Sequence, residues 1–211
     1  RPNTDLLVEL EAEVVFSELI GQILNSQENN DIFHSKINGC VFIDPETRFS
    51  QNPTLVKGEP PKRLKELDDI PSPYLSGMLD VFFDGKLTPF IETNRGCPFK
   101  CSFCHTGNNY FNKINMFSIE RIKDEVNYIS RKASALGIVN LHLADTNFGM
   151  YSRDREICNT LYSANKKFGW PSQIMATTGK NNKERVIDIT KIMGNIFSVN
   201  MSVQSMDKKV L

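Results

Sequence analysis

The sequence has no excess of charge and no long apolar run, and each absence excludes a class of protein. Its 211 residues include 25 basic and 25 acidic residues, so the formal net charge at pH 7 is zero. A balanced charge does not favour a nucleic-acid surface, and no apolar run approaches the ~20 residues that span a bilayer. No secretory signal peptide is recognisable. We therefore expect a cytoplasmic protein without a membrane segment and with no nucleic-acid partner.

Cysteine is scarce and unsuitably placed for a disulfide framework. There are five cysteines, an odd number, and three of them lie close together at Cys97, Cys101 and Cys104. Secreted scaffolds use cysteines in even number, whereas clustered thiols are typical of an intracellular metal site. Cys40 and Cys158 lie far from the others among apolar residues. We expect both to be buried as small hydrophobic side chains.

The three clustered cysteines follow the spacing C-x3-C-x2-C on one short loop, residues 95–104. Three thiolates on one loop can hold three irons of a [4Fe–4S] cube, which leaves the fourth iron open to a ligand that is not protein. Zinc is the main alternative, but it usually takes four ligands, commonly in two cysteine pairs, and no second pair is present. Chance burial of the thiols is less favoured because Pro98, Lys100 and Ser102 are not typical core residues.

After residue 75 the hydrophobic pattern alternates between strands and helices. The helices are expected around residues 118–137, 157–168 and 186–193, and the strands lie at 89–93, 138–143, 173–177 and 197–203. A βαβαβαβ order with about 30 residues per unit predicts parallel strands joined by right-handed crossovers. The result is an α/β fold, either a doubly wound sheet or a (β/α) barrel. Four strands do not close a barrel, so we expect a truncated one.

Polar segments follow each of these strands. The cysteine loop follows the first strand, and residues 144–147, 177–179 and 204–205 follow the other three. In both candidate folds the functional residues gather at the carboxyl ends of the parallel strands. We therefore expect the four segments to meet at one edge of the sheet.

The first third of the chain is organised differently. A strand at 4–8, an amphipathic helix from Val15 to Leu24 and a strand at 39–44 occupy residues 1–50, and we expect the second strand in a small hairpin or at an edge. Residues 51–75 are rich in proline and predict an extended connector at a domain boundary. Residues 76–211 carry the strand–helix alternation.

The cysteine loop after the first strand, with Phe103 directly before the last cysteine, resembles the radical S-adenosylmethionine (SAM) superfamily. The resemblance covers roughly residues 71–211. It implies an enzyme with a partial (β/α) barrel in which Cys97, Cys101 and Cys104 hold a [4Fe–4S] cluster. It also implies that SAM binds the open iron, and that an electron from the cluster cleaves SAM to a 5′-deoxyadenosyl radical. The electron would come from a donor such as flavodoxin or ferredoxin.

The same resemblance assigns roles to four further residues. Phe103 would pack near the adenine of SAM; the alternative is that its ring only plugs the loop. Asp145 and Asn147 match the segment after the second strand that contacts the SAM amino group, with Thr146 where related members carry a second acid. The alternative there is a helix N-cap by Asp145 or Thr146. Gln204 matches a residue beside the ribose and carboxylate of SAM; its alternative role is a hydrogen bond at the strand end.

Residues 5–13 and 16–19 resemble the end of the cobalamin-binding domain that precedes many radical SAM domains, with Leu10 in place of a glycine. Residues 1–50 are therefore expected to be the C-terminal remnant of a cobalamin-binding-like α/β domain. The Asp-x-His-x-x-Gly signature of such a domain is absent from these 211 residues. We accordingly expect cobalamin binding only in a longer, full-length protein.

The sequence thus predicts a radical SAM enzyme, with cobalamin-dependent methyl transfer as one possible reaction. Two alternatives stay open: a methylthiotransferase-like or other cobalamin-independent radical SAM enzyme, and a non-catalytic iron–sulfur binding module. The substrate, whether a small molecule or another type, is not specified by these residues.

Overall fold

The computed structural model of the chain describes residues 4–26, 31–179, 181–200 and 205–209. The chain divides into two units, Arg1–Lys65 and Glu66–Leu211. The division falls inside the proline-rich stretch at 51–75. Among the described residues, none of the helices combines the length and the apolar character that a bilayer crossing needs.

The first unit is a small antiparallel sheet packed against one helix. Its elements, in chain order, are β1 (Leu6–Val8), α1 (Glu13–Asn25), β2 (Cys40–Ile43) and β3 (Leu55–Lys57). The strands pair in the order β1-β2-β3. Alternate residues of β2 face the core, which is made of buried apolar side chains: Val15, Leu19, Ile37, Cys40 and Phe42. The complete burial of Cys40 confirms the expectation for this residue.

Strand β2 lies in the middle of this sheet and pairs antiparallel with β3, the next strand along the chain, so the predicted hairpin is confirmed and the alternative, an edge element, is wrong. Its second partner, β3, falls inside the stretch predicted to be a connector. Residues 55–57 contain no proline, and a strand this short needs only a few backbone N–H donors to pair. Because prolines flank this strand on both sides, the sequence pattern did not predict it.

The second unit contains a parallel four-stranded sheet and three helices. The elements of the unit, in chain order, are β4 (Phe90–Ile91), β5 (Asn94–Arg95), β6 (Asn115–Met116), α2 (Ile119–Ala135), β7 (Asn140–Phe148), α3 (Asp154–Phe168), β8 (Gln173–Thr178), α4 (Lys183–Met193) and β9 (Phe197–Asn200). The parallel strands pair in the order β4-β7-β8-β9. The predicted α/β fold with a parallel sheet is therefore confirmed. Strands β5 and β6 form a separate antiparallel pair.

Helix α2 shows why the helices of the second unit form where the hydrophobic pattern of the sequence predicts them. Ser118 is its N-cap, and the Ser118 hydroxyl oxygen accepts a hydrogen bond from the backbone N–H of Arg121 at 3.1 Å. Gly137 follows the helix with φ +68°, a left-handed conformation that glycine adopts at low cost. One face of the helix is apolar and buried at helical spacing: Ile122, Val126, Ile129 and Ala133.

The buried side of the parallel sheet packs against these helices. Its side chains come from β4 and from the two central strands, β7 and β8: Ile91, Leu141, Leu143, Ile174 and Ala176. Cys158, on α3, is fully buried, as expected, and burial raises the pKa of its thiol. Because all four strands run in one direction, their carboxyl ends lie at the same edge of the sheet. The cysteine loop begins at this edge.

Candidate metal-cluster site

The cysteine loop is held at its start by the β5–β6 pair. The two strands pair Asn94 with Met116 and Arg95 with Asn115, so the chain between them leaves and returns at one place. Cys97 then donates its backbone N–H to the carbonyl oxygen of Phe111 at 2.8 Å. The first cysteine is therefore fixed by backbone hydrogen bonds on the returning segment.

Glycine is required just before the first cysteine. Gly96 has φ +121°, which residues with a Cβ rarely adopt. A Cβ on Gly96 would lie 2.3 Å from the carbonyl oxygen of Lys113 and 2.8 Å from that of Phe111. Both neighbours are backbone atoms and cannot rotate away, so this close approach depends on the absence of a side chain.

The second half of the loop turns tightly at the other two cysteines. Cys104 donates its backbone N–H to the carbonyl of Cys101 at 3.1 Å, and Gly107 donates to the carbonyl of Cys104 at 3.0 Å. A Cβ on Gly107 would lie 2.3 Å from the Cys101 carbonyl oxygen. The loop is thus compact, and its cysteines lie on consecutive turns.

The three cysteines differ in exposure. Cys97 is 8% exposed, Cys101 is half-buried and Cys104 is exposed. All five cysteines of the chain lie in the described ranges and carry reduced thiols. In those ranges, no three Cys, His, Asp or Glu side chains already form a metal-binding group.

The end of β7 contacts the first cysteine directly. The Thr146 hydroxyl donates to the carbonyl oxygen of Gly96 at 2.9 Å. The side-chain amide of Asn147 donates to the sulfur of Cys97 at 3.3 Å and to the hydroxyl oxygen of Thr146 at 3.1 Å. Two adjacent residues of one strand therefore hold the backbone before Cys97 and the Cys97 thiol itself.

Asp145 connects β7 to the end of β4. Its carboxylate is 2% exposed and accepts hydrogen bonds from the backbone N–H groups of Thr93 at 2.7 Å and Asn94 at 3.2 Å. It also accepts from the Thr93 hydroxyl. These contacts exclude the helix N-cap as the role of Asp145, since α3 begins only at Asp154. The carboxylate instead positions the chain that leads into the cysteine loop.

Residues 144–147 lie within a strand, so the prediction of a loop there is wrong. Strand β7 continues through Phe148, and its pairing with β8 shifts between Leu143 and Phe148. The pattern of apolar residues ends at Leu143, because the buried residues that follow are polar and pair with the cysteine loop and with Thr93. Tertiary contacts, rather than apolar alternation, extend the strand.

Buried Asp154 and half-buried Tyr151, near this site, carried no recognisable sequence signal. Asp154 is fully buried, and its carboxylate accepts from the N–H groups of Gly149 at 2.8 Å and Tyr151 at 3.0 Å. Burial raises the pKa of Asp154. Burial also raises the pKa of Tyr151 to about 12, with further contributions from the charges of Asp154, Cys97 and Asp145. Thr93 and Thr146 were also missed, because single threonines at strand ends are common.

Phe103 takes no part in the buried contacts at the end of β7. Phe103 is 74% exposed, so its ring does not plug the loop and that alternative is excluded. Gln204 lies outside the described residues. The structure thus brings Cys97, Asp145 and Asn147 together, and it places Phe103 at the surface of the same loop.

Burial raises the pKa of Asp145 to about 6, although its three hydrogen-bond donors act in the opposite direction and the charge of Asp154 adds to the rise. The donors favour the charged carboxylate, whereas removal from water favours the neutral acid. In this site the second effect is larger.

We expect Asp145→Asn to change how stability depends on pH. Because the folded-state pKa lies above the unfolded value, the acid stabilises the fold while protonated, and this contribution is lost as pH rises through about 6. Between about pH 4 and about pH 7, the free energy of unfolding of the wild type should therefore fall by ~2 kcal/mol relative to that of Asp145→Asn. Denaturant unfolding of both chains across this range measures the difference.

The matched control for this measurement is Asp124→Asn, which removes an exposed carboxylate from α2. It changes the net charge by the same amount without touching the β4–β7 connection. If the stability of Asp145→Asn relative to the wild type stays constant as pH rises, the hydrogen bonds to Asp145 balance burial. If it falls, they outweigh burial.

Comparison with known proteins finds homologues that match the whole chain. The chain is 32% identical over its whole length to the cobalamin-dependent radical SAM methyltransferase TokK of Streptomyces tokunonensis. It is 30% identical, again over its whole length, to 2-(S-pantetheinyl)-carbapenam-3-carboxylate methyltransferase of Streptantibioticus cattleyicolor. It spans 30% of the length of each of these relatives.

Solved structures show the same fold. The radical enzyme OxsB, with aqua-cobalamin and SAM bound, matches 97% of this chain with a TM-score of 0.61 and 16% identity, over 28% of its own length. The methyltransferase TsrM from Kitasatospora setae matches 97% of the chain with a TM-score of 0.61 and 14% identity, over 38% of its own length. No protein-family model matches the chain. The resemblance to the radical SAM superfamily is confirmed: the chain is a homologue of cobalamin-dependent radical SAM methyltransferases.

Proposed function

We propose that this chain is the part of a cobalamin-dependent radical SAM methyltransferase that holds the [4Fe–4S] cluster and SAM. One observation carries the proposal. This chain is a homologue of such enzymes, and its three-cysteine loop follows the carboxyl end of β4 and is held there by the end of β7. The amide of Asn147 contacts the first cysteine directly, so the loop and the strand edge form one site.

The residues of this chain fit the cluster. Three reduced thiols on one compact loop are the donor set of an iron–sulfur cluster, and the open fourth position suits SAM. Cys97, Cys101 and Cys104 would hold the cluster. When bound, the cluster supplies the electron that cleaves SAM. The protein holds Cys97 in a buried position through Asn147 and Thr146, while Cys104 stays exposed at the outer end of the loop.

The predicted SAM contacts divide into two groups by exposure. Phe103 presents an exposed ring beside the last cysteine and can stack on an adenine base. Asp145 and Asn147 are buried, and their known partners are protein groups, so any effect on SAM from Asp145 acts through the end of β4. Gln204 is proposed as a ribose contact from the sequence resemblance alone.

The four parallel strands form the first part of a (β/α) barrel in this proposal. The likeness to OxsB and TsrM over 97% of the chain supports it. We also propose that residues 1–50 are the end of a cobalamin-binding-like domain, that 51–75 connect it to the barrel, and that cobalamin binds in a longer chain. The first unit contributes an antiparallel sheet and one helix to that domain.

The substrate class and setting follow from the relatives and from cysteine chemistry. Two curated relatives are named as methyltransferases of small molecules, 2-(S-pantetheinyl)-carbapenam-3-carboxylate and cytidylyl-2-hydroxyethylphosphonate. We therefore propose methyl transfer to a small molecule. We also propose a cytoplasmic location, because free thiols and an electron donor such as flavodoxin or ferredoxin are typical of the cytoplasm.

Anaerobic reconstitution tests this function. After incubation with iron and sulfide, the full chain should hold about four irons, and with SAM and a chemical reductant it should release 5′-deoxyadenosine. Absence of a cluster would overturn the proposal. A stable cluster without any SAM cleavage would instead identify an iron–sulfur binding module.

Cobalamin separates the two enzymatic interpretations. With added hydroxocobalamin, a longer chain that includes the cobalamin-binding domain should transfer a labelled methyl group of SAM to cobalamin if the protein works as a cobalamin-dependent methyltransferase. SAM cleavage that does not depend on cobalamin, with no label transferred, would favour a cobalamin-independent radical SAM enzyme.

A further inference from the structure

The contact between Asn147 and Cys97 joins two buried groups. Asn147 is 3% exposed and Cys97 is 8% exposed. The side-chain nitrogen of Asn147 lies 3.3 Å from the sulfur of Cys97, within hydrogen-bond distance for a sulfur acceptor. The amide of Asn147 is therefore shielded from solvent and points at the sulfur of Cys97.

The orientation of this amide is set by a second hydrogen bond. Its nitrogen also donates to the hydroxyl oxygen of Thr146 at 3.1 Å, and that hydroxyl donates in turn to the carbonyl of Gly96 at 2.9 Å. Asp145, two residues before Asn147 on β7, anchors the strand to the backbone of Thr93. Three hydrogen bonds, Asn147 to Thr146, Thr146 to Gly96 and Thr93 to Asp145, therefore fix the position of the amide donor.

We infer that Asn147 is a positioning residue for the iron–sulfur cluster and that its N–H group raises the reduction potential of that cluster. The inference rests on the proposed function, since it assumes that Cys97 is a cluster ligand. It differs from the role that the sequence resemblance implies for Asn147, a contact with SAM.

The direction of the effect follows from charge. Reduction adds one electron to the cluster and its thiolates, so the reduced form carries more negative charge on sulfur. A donor N–H stabilises the more negative form more strongly, and hydrogen bonds to cluster sulfurs are among the determinants of its potential. In a buried site this electrostatic effect is larger than in water. Removal of the donor therefore makes the cluster harder to reduce.

The test compares the same substitution at two asparagines. Asn147→Leu removes the donor and keeps a side chain of similar size. The matched control, Asn127→Leu, removes an amide on α2 that donates to the carbonyl of Lys123. Each full-length chain is reconstituted with iron and sulfide, iron is counted, and the potential is measured by redox titration with detection by electron paramagnetic resonance.

We expect the reduced-to-oxidised ratio of Asn147→Leu, at a fixed applied potential, to be about fivefold lower than that of the wild type. The ratio for Asn127→Leu should stay close to the wild-type value. Electron–nuclear double resonance should also show an exchangeable proton near the cluster of the wild type and of Asn127→Leu that is lost in Asn147→Leu. A purely structural role for Asn147 would alter iron content without moving the potential.

The outcomes are distinguishable from failure of the proposed function. If the wild type takes up no cluster, the proposed function is wrong. If the wild type and Asn147→Leu hold equal clusters with equal potentials, the inference about Asn147 is wrong. If Asn147→Leu does not fold, Asn147→Ser serves in its place, because its shorter side chain also withdraws the donor from the sulfur.

Discussion

The chain with Cys97→Ala is expected to hold almost no iron after anaerobic reconstitution, whereas the wild type holds about four irons per chain. Formation of 5′-deoxyadenosine from SAM should fall by more than about 100-fold. The reason is that Cys97 is the buried cysteine of the loop, with its N–H on Phe111 and its sulfur on Asn147. Loss of this thiolate leaves the cluster without its fixed point of attachment.

Cys158→Ala is the matched control for this experiment. It removes the same thiol group from a fully buried position of the same unit, on α3. Its cost should be limited to about 1 kcal/mol of folding stability, with iron content unchanged. A full cluster in Cys97→Ala, or equal loss of iron in both variants, would contradict the assignment of Cys97.

Gly96→Ala should have an effect nearly as large, although it removes no ligand. A Cβ at this position would lie 2.3 Å from the carbonyl oxygen of Lys113, and the φ of +121° is itself unfavourable for alanine. The backbone before Cys97 would have to move away from Lys113 and from the Thr146 hydroxyl. We expect reconstituted iron to fall to a small fraction of the wild-type amount while the helical content stays unchanged.

Gly137→Ala separates the effect of space from that of backbone strain. Gly137 also has a positive φ, +68°, but a Cβ there would meet nothing within 4 Å. This variant should lose about 1 kcal/mol of stability at the end of α2 and keep its cluster. Measurement of iron content and circular dichroism for both variants decides the question. Normal iron content in Gly96→Ala would show that the loop tolerates a shift at its first turn.

The periodic elements of the second unit could be predicted from the sequence because their signals are local. Helix α2 has an N-cap at Ser118, an apolar face at helical spacing and a glycine after its last turn. The four parallel strands are short runs of apolar residues between such helices. Strand β3 could not be predicted in this way, since its few residues pair only because β2 is beside them.

The candidate site was partly predictable for the same reason. The spacing of Cys97, Cys101 and Cys104 is a local pattern, and it is sufficient to predict an iron–sulfur cluster on this loop. The roles of Asp145 and Asn147 were harder to predict. The partner of Asp145 is Thr93 and the partner of Asn147 is Cys97, and each lies about 50 residues away in sequence. No local rule relates residues at such a separation.

The sequence by itself determined the three-cysteine loop, the order of strands and helices, and the placement of the loop after the first parallel strand. These features depend on spacing and apolar periodicity, which act between residues close in the chain. Only the tertiary structure decided that Asn147 points at the sulfur of Cys97 and that Asp145 is buried against Thr93. The physical reason is that parallel pairing of β4 and β7 aligns their ends, and alignment across strands has no signature in either strand alone.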